Sequence, residues 1–156
     1  MVIRFVTELK VWRNKQMSNI EYLAAGNQAT SREHLAQLAL SKEPKVRSRV
    51  AENPSCPTVA LLALAEDDHP DVRSNVAGNP KATFAILRML AKDFCLNVRY
   101  TLAEDHNLPR PLLRMLSRDD NPYVAERAKQ TLNRLKEEQS ARRKAGYITQ
   151  QRHAIG

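Results

Sequence analysis

Three observations in the sequence predict an all-α protein, an α-solenoid (superhelix) of about five 26-residue two-helix repeats. The first is a fixed period: Ile20, Val46, Val72, Val98 and Val124 form one column, Leu9, Leu35, Leu61, Leu87 and Leu113 a second, and Trp12, Leu38, Leu64, Leu90 and Leu116 a third. The second is the spacing within each period, where Leu61 and Leu64 stand at i, i+3 and Val72 and Val76 at i, i+4, while no stretch alternates with period two. The third is composition: only 5% of residues are aromatic and Ala and Leu are abundant, which favours helices packed through small and aliphatic side chains over a β-sandwich. One unit alone buries too little apolar surface to offset the ordering of its own chain, so the units must stack.

Residues 1–26 read as a degenerate N-terminal capping repeat that keeps Leu9, Trp12, Ile20 and Ala24, with Phe5, Leu9 and Trp12 extending a helical stripe and Trp12 plugging the core. Residues 27–130 hold four helical repeats. Their first helices are expected to start near Ser31, Pro57, Thr83 and Pro109, with Pro at the first helical position and a capping box over Thr30 to Glu33. An acidic turn, Glu66-Asp67-Asp68-His69-Pro70, joins the two helices of a unit. The second helix should end near Gly78-Asn79-Pro80, Gly78 taking a left-handed closing residue. Residues 131–156 read as a C-terminal extension of the capping helix and a basic, partly disordered tail. Val124, Ala128, Leu132 and Leu135 continue the helical stripe to about Lys144, and polar, patternless sequence begins at Gly146.

Asn53-Pro54-Ser55-Cys56-Pro57, then Leu61, Ala63, Leu64 and Ala65, then Asp71-Val72-Arg73, Asn75, Val76 and Ala77 resemble the leucine-rich-repeat variant family. An Asp five residues before a Val, as in Asp67 with Val72-Arg73, Asp93 with Val98-Arg99 and Asp119 with Val124, is similar to HEAT repeats. The resemblance covers roughly residues 27–130 and implies a right-handed helical superhelix whose second helices line a concave face. A relative with this repeat carries an iron–sulfur cluster held by N-terminal cysteines; residues 1–26 contain no Cys, which excludes that cluster here.

No cofactor and no metal are expected. Cys56 and Cys95 have no metal-ligand spacing, and His34, His69, His106 and His153 fall in different columns. No phosphate loop, nucleophile elbow or paired-carboxylate motif with a base appears, so the chain reads as no enzyme, without catalytic residues or a small-molecule substrate. No apolar run is long enough to span a membrane and residues 1–12 do not read as a signal peptide, so no membrane partner and a cytoplasmic location are expected.

Arg47, Arg73 and Arg99 recur in step with Asp67, Asp93 and Asp119, opposite charges at the period of the core; they read as a structural ladder between units. Asn27, Asn53 and Asn79, with Asp105, read as turn residues that satisfy backbone groups. Function is expected where the period leaves residues free, on the outward and flanking positions of the second helices. There Tyr100, Tyr123, Arg49, Arg127, Asn75 and Thr101 are the candidates for binding a protein or peptide partner on the concave face. The alternative is a nucleic-acid-binding accessory protein. Net charge is +8, of which +5 falls in residues 125–156, and Arg134, Lys136, Arg142, Arg143 and Lys144 would supply phosphate contacts.

Overall fold

The computed structural model describes residues 15–154, with side chains through residue 144. Among the described residues every regular element is a helix and none is a strand. In chain order they are α1 (15–26), α2 (Arg32–Leu38), α3 (Pro44–Glu52), α4 (Thr58–Leu64), α5 (Pro70–Ala77), α6 (Phe84–Leu90), α7 (Leu96–Glu104), α8 (Arg110–Leu116) and α9 (Pro122–Ala154). The expected stripe of Phe5, Leu9 and Trp12 lies outside the described residues.

Side-chain chemistry at the helix ends explains these boundaries. Ser31 Oγ accepts from the His34 N–H at 3.2 Å and Thr83 Oγ1 from the Ile86 N–H at 3.4 Å, capping α2 and α6. The Thr30 hydroxyl is taken elsewhere, donating to the Ala24 carbonyl at 2.7 Å, so Ser31 is the cap in place of the expected Thr30–Glu33 box. Pro57 and Pro109 occupy the N-cap, one residue before the helical position expected of them. Pro44 and Pro70 begin α3 and α5, where a missing N–H costs nothing. Gly78 follows α5 with φ −83°, a right-handed helical value, and no described residue has positive φ. The expected left-handed closure is therefore absent; the chain leaves α5 through an Asn79 N–H to Val76 O bond of 3.1 Å instead.

The core is made by the recurring columns. Val46, Val72, Val98 and Val124 are fully buried, and Leu35, Leu61 and Leu113 from the first helices meet them. Ile20 departs from its column, being 60% exposed on α1. Leu87 also departs, only partly buried, while its neighbour Ile86 turns into the core. Cys56 is fully buried among these residues, and burial pushes its thiol up to about 11, as expected of an inert packing group.

Helix α3 packs on α5, α5 on α7 and α7 on α9, while no two of α2, α4, α6 and α8 approach each other as closely. The chain's end differs from expectation. Helix α9 is 33 residues long and continues to Ala154, past Lys144 and through Gly146, where a partly disordered tail was expected. One Gly among helix-forming Ala, Gln, Arg and Lys weakens a helix by about 1 kcal/mol without ending it. No helix among the described residues is long and apolar enough to cross a membrane.

Candidate functional site

Each Arg of the ladder column makes the same set of bonds. Arg73 Nε and Nη2 donate to Asp93 at 2.7 and 2.9 Å, and its Nη1 donates to the Asp67 carbonyl at 2.6 Å. Arg47 meets Asp67 at 2.6 and 2.9 Å, and Arg99 meets Asp119 at 2.7 and 3.0 Å. The same Asp oxygens accept the backbone N–H of His69, Cys95 and Asn121, so each carboxylate also fixes the turn into the second helix. Burial pushes Asp67 and Asp93 upward, and the Arg hydrogen bonds, the backbone donor and the Arg charge outweigh it and hold both below the usual carboxylate range. Asp119 is held low chiefly by its Arg99 hydrogen bond. The exposed Phe94 ring covers the Arg73 guanidinium at 4.5 Å.

A second set of bonds runs through the Asn column. Asn53 Nδ2 donates to the carbonyls of Ala25 and Asn27 at 2.8 and 3.0 Å, and Asn79 Nδ2 to those of Ala51 and Asn53 at 2.6 and 3.0 Å. Thr131, at the same place two units on, donates to Ala103 O at 2.7 Å. Asn53 and Asn79 are buried, so each bond closes the gap between consecutive units away from water. Asn27 is exposed, and its Oδ1 accepts the Ala29 N–H at 2.9 Å.

The candidate partner-binding residues divide between surface and seam. Tyr123 is 74% exposed at the start of α9, whereas Tyr100 packs partly against the core from α7. Asn75 Nδ2 donates to Ser48 Oγ at 2.7 Å and to Glu52 Oε1 at 2.9 Å, joining α5 to α3. Arg127 Nη2 reaches Glu104 at 3.4 Å, joining α9 to α7 in the same way, while its Nε is buried without a partner. Arg49 bonds Glu52 at 2.7 Å and lies over the Tyr22 ring at 5.7 Å. Thr101 turns inward to its own helix, donating to Asn97 O at 2.9 Å. Thr101 and Arg127 both line an open cleft of about 860 Å³ at the C-terminal ends of α5 and α7. Sequence reasoning did not find this cleft, although its signal is present as small or altered residues at Gly78 and Asp105.

On α9 the side chains of Lys136, Arg142, Arg143 and Lys144 are exposed, and Arg134 Nε is paired with Glu138 at 3.0 Å. Among the described residues no group of three or more His, Cys, Asp or Glu side chains is arranged to hold a metal ion. Compared with family models, curated proteins and solved structures, the chain matches none. Resemblance to leucine-rich-repeat variant and HEAT repeats thus stands on the recurring columns alone.

Proposed function

We propose that this chain is a non-enzymatic α-solenoid of about five leucine-rich-repeat-variant or HEAT-like repeats, cytoplasmic, that binds a protein or peptide partner along its second helices. The observation that carries this proposal is the division between columns. Residues that recur, such as Arg73, Asp93 and Asn79, are buried and consumed by bonds between units, while the varying positions include Tyr123 at the surface beside Asn75 and Arg127, which lie at the seams. A scaffold with fixed joints and a variable face is how repeat proteins bind partners. Closer packing among α3, α5, α7 and α9 than among the first helices supports the second helices as the inner, concave row. Tyr and Arg, the usual anchors of interfaces, occur there as Tyr123, Tyr100, Arg49 and Arg127.

The test is affinity capture from native lysate with the wild type and with Tyr123→Ala combined with Tyr100→Phe, the Phe keeping the packing of position 100. Loss of the captured partner with an unchanged melting temperature is expected. Undiminished capture would remove the assignment.

A second reading has its own observation. Helix α9 exposes the side chains of Lys136, Arg142, Arg143 and Lys144, so the protein would hold nucleic acid by phosphate contacts from this stretch. It requires salt-sensitive binding of a random-sequence duplex that disappears when the chain is cut after Leu135. Salt-independent binding, or binding that survives the cut, excludes it.

A further inference from the structure

The joint between α5 and α7 lacks both bonds that close its neighbours. Asn53 and Asn79 each donate to two carbonyls of the preceding unit, and at the next place stands Asp105, whose side chain has no N–H to give. Asp105 keeps the turn bond of the column, its Oδ1 accepting the Asn107 N–H at 2.8 Å, as Asn79 Oδ1 accepts the Lys81 N–H at 2.9 Å. The donor half of the clasp is missing, so among the described residues no side chain donates to the carbonyls of Ala77 and Asn79 as Asn79 does to those of Ala51 and Asn53.

The outer bond is missing as well. Asn75 reaches back to Glu52 and Arg127 reaches back to Glu104, but the equivalent pair at this joint is Thr101 and Gly78. Thr101 bonds its own helix, and a Cβ placed on Gly78 would meet only the carbonyls of Asn75 and Ser74, at 3.8 and 4.0 Å. At this one joint the two omissions coincide with a cleft of about 860 Å³. One wall offers acceptors, Asp105 and the Ala77 and Asn79 carbonyls. The other offers a donor, the Arg127 guanidinium, 40% exposed and engaged only by the 3.4 Å contact of its Nη2 with Glu104 among the described residues. Phe84, half exposed, and the partly buried Leu87 and Pro109 add an apolar side.

We propose that this cleft is a subsite for one residue of an extended peptide from the partner protein. A peptide unit alternates N–H and C=O along its backbone. Its N–H takes the place of the missing Asn donor on Asp105 and the Ala77 carbonyl, its C=O accepts from Arg127, and an apolar side chain lies against Phe84 and Leu87. The inference rests on the partner-binding reading above and narrows it to one chemistry, a peptide backbone bearing an apolar side chain. The joint gives up its own closure to receive this ligand, a trade of stability for function.

The test uses N-acetyl-phenylalanine methylamide as a minimal peptide unit, titrated into the ¹⁵N-labelled full chain. Amide shifts are expected at residues 77–79 and 101–107 and at the Arg127 guanidinium, saturating at about millimolar concentration for a ligand of this size. The analogue methylated on both amide nitrogens should bind about tenfold more weakly. Asp105→Asn, which restores the clasp donor, and Gly78→Glu, which restores the partner seen at Glu52 and Glu104, should each weaken binding about tenfold, and Asp105→Asn should raise the melting temperature. Absence of shifts up to about 20 mM, equal binding of the methylated analogue, or indifference to both substitutions overturns the subsite. If the partner captured from lysate is lost with the tyrosine variant and retained by Asp105→Asn and Gly78→Glu, the binding face stands and this subsite falls.

Discussion

Arg73 and Asp93 meet as a closed fork, with two parallel bonds of 2.7 and 2.9 Å between side chains that are 4% and 6% exposed. The pair joins consecutive units, and its Arg is sealed beneath the Phe94 ring. Removing one partner leaves the other charge buried and unpaired. Arg73→Ala is therefore expected to cost about 3 to 5 kcal/mol, read from urea unfolding. Arg47→Ala and Arg99→Ala should cost less, since those side chains are 15% and 16% exposed and water relieves the orphaned Asp. If Arg73→Ala leaves the unfolding midpoint in place, the pair is no structural joint.

Acid should open the ladder. Asp67, Asp93 and Asp119 have values lowered by folding, so the unfolded chain binds their protons more readily than the folded one. Their contribution is complete above the unfolded Asp value of about 3.9 and is lost as pH falls through the lower folded values. Urea midpoints should be flat from neutral pH to about pH 5 and fall steeply below about pH 4. Asp93→Asn should flatten part of that fall. A midpoint that rises on acidification contradicts the sign.

The Asn column gives a graded expectation. Asn79→Ala removes the donor to two carbonyls and the acceptor for Lys81 N–H at a position 4% exposed, and should cost about 2 to 3 kcal/mol. Asn27→Ala removes one exposed bond and should change stability by no more than about 0.5 kcal/mol. Equal effects at both positions would show that the inter-unit bonds contribute nothing.

How much of this the sequence discloses depends on whether a feature repeats. Helix content is legible from the spacing of Val72 and Val76, and the pairing of Arg with Asp is legible because the two columns recur in step, 20 residues apart. Features of single places are harder to read. Ile20 carries the letter of a core column yet is 60% exposed, because its burial depends on a neighbour and not on its own identity. Gly78 suggests a left-handed turn by its type, whereas its φ of −83° needs no glycine. The cleft arises from two absences, a missing donor at Asp105 and a missing side chain at Gly78, and an absence shows only when each unit is compared with the next. The run of α9 to Ala154 was hidden by Gly146, whose helix penalty is too small to set a boundary alone.

Gly78 yields a prediction of the opposite sign to the others. Its backbone is compatible with any L residue and a Cβ would make only ordinary van der Waals contacts, so Gly78→Ala should stabilise by about 0.4 to 1 kcal/mol through the unfolded chain. The melting temperature should rise by about 1 to 4 °C. At Gly26 the Cβ would instead collide with the Arg49 guanidinium and displace it from Glu52, so Gly26→Ala should bring no gain.

The central claim is that constant columns hold the units together while variable residues of the second helices meet the partner. Site-specific photo-crosslinking tests it most directly, with benzoylphenylalanine placed at Tyr123, 74% exposed on α9, or at Leu62, 50% exposed on α4. One discrete partner adduct from position 123 and none from position 62 is the predicted result. An adduct from position 62 with none from position 123 would contradict the account.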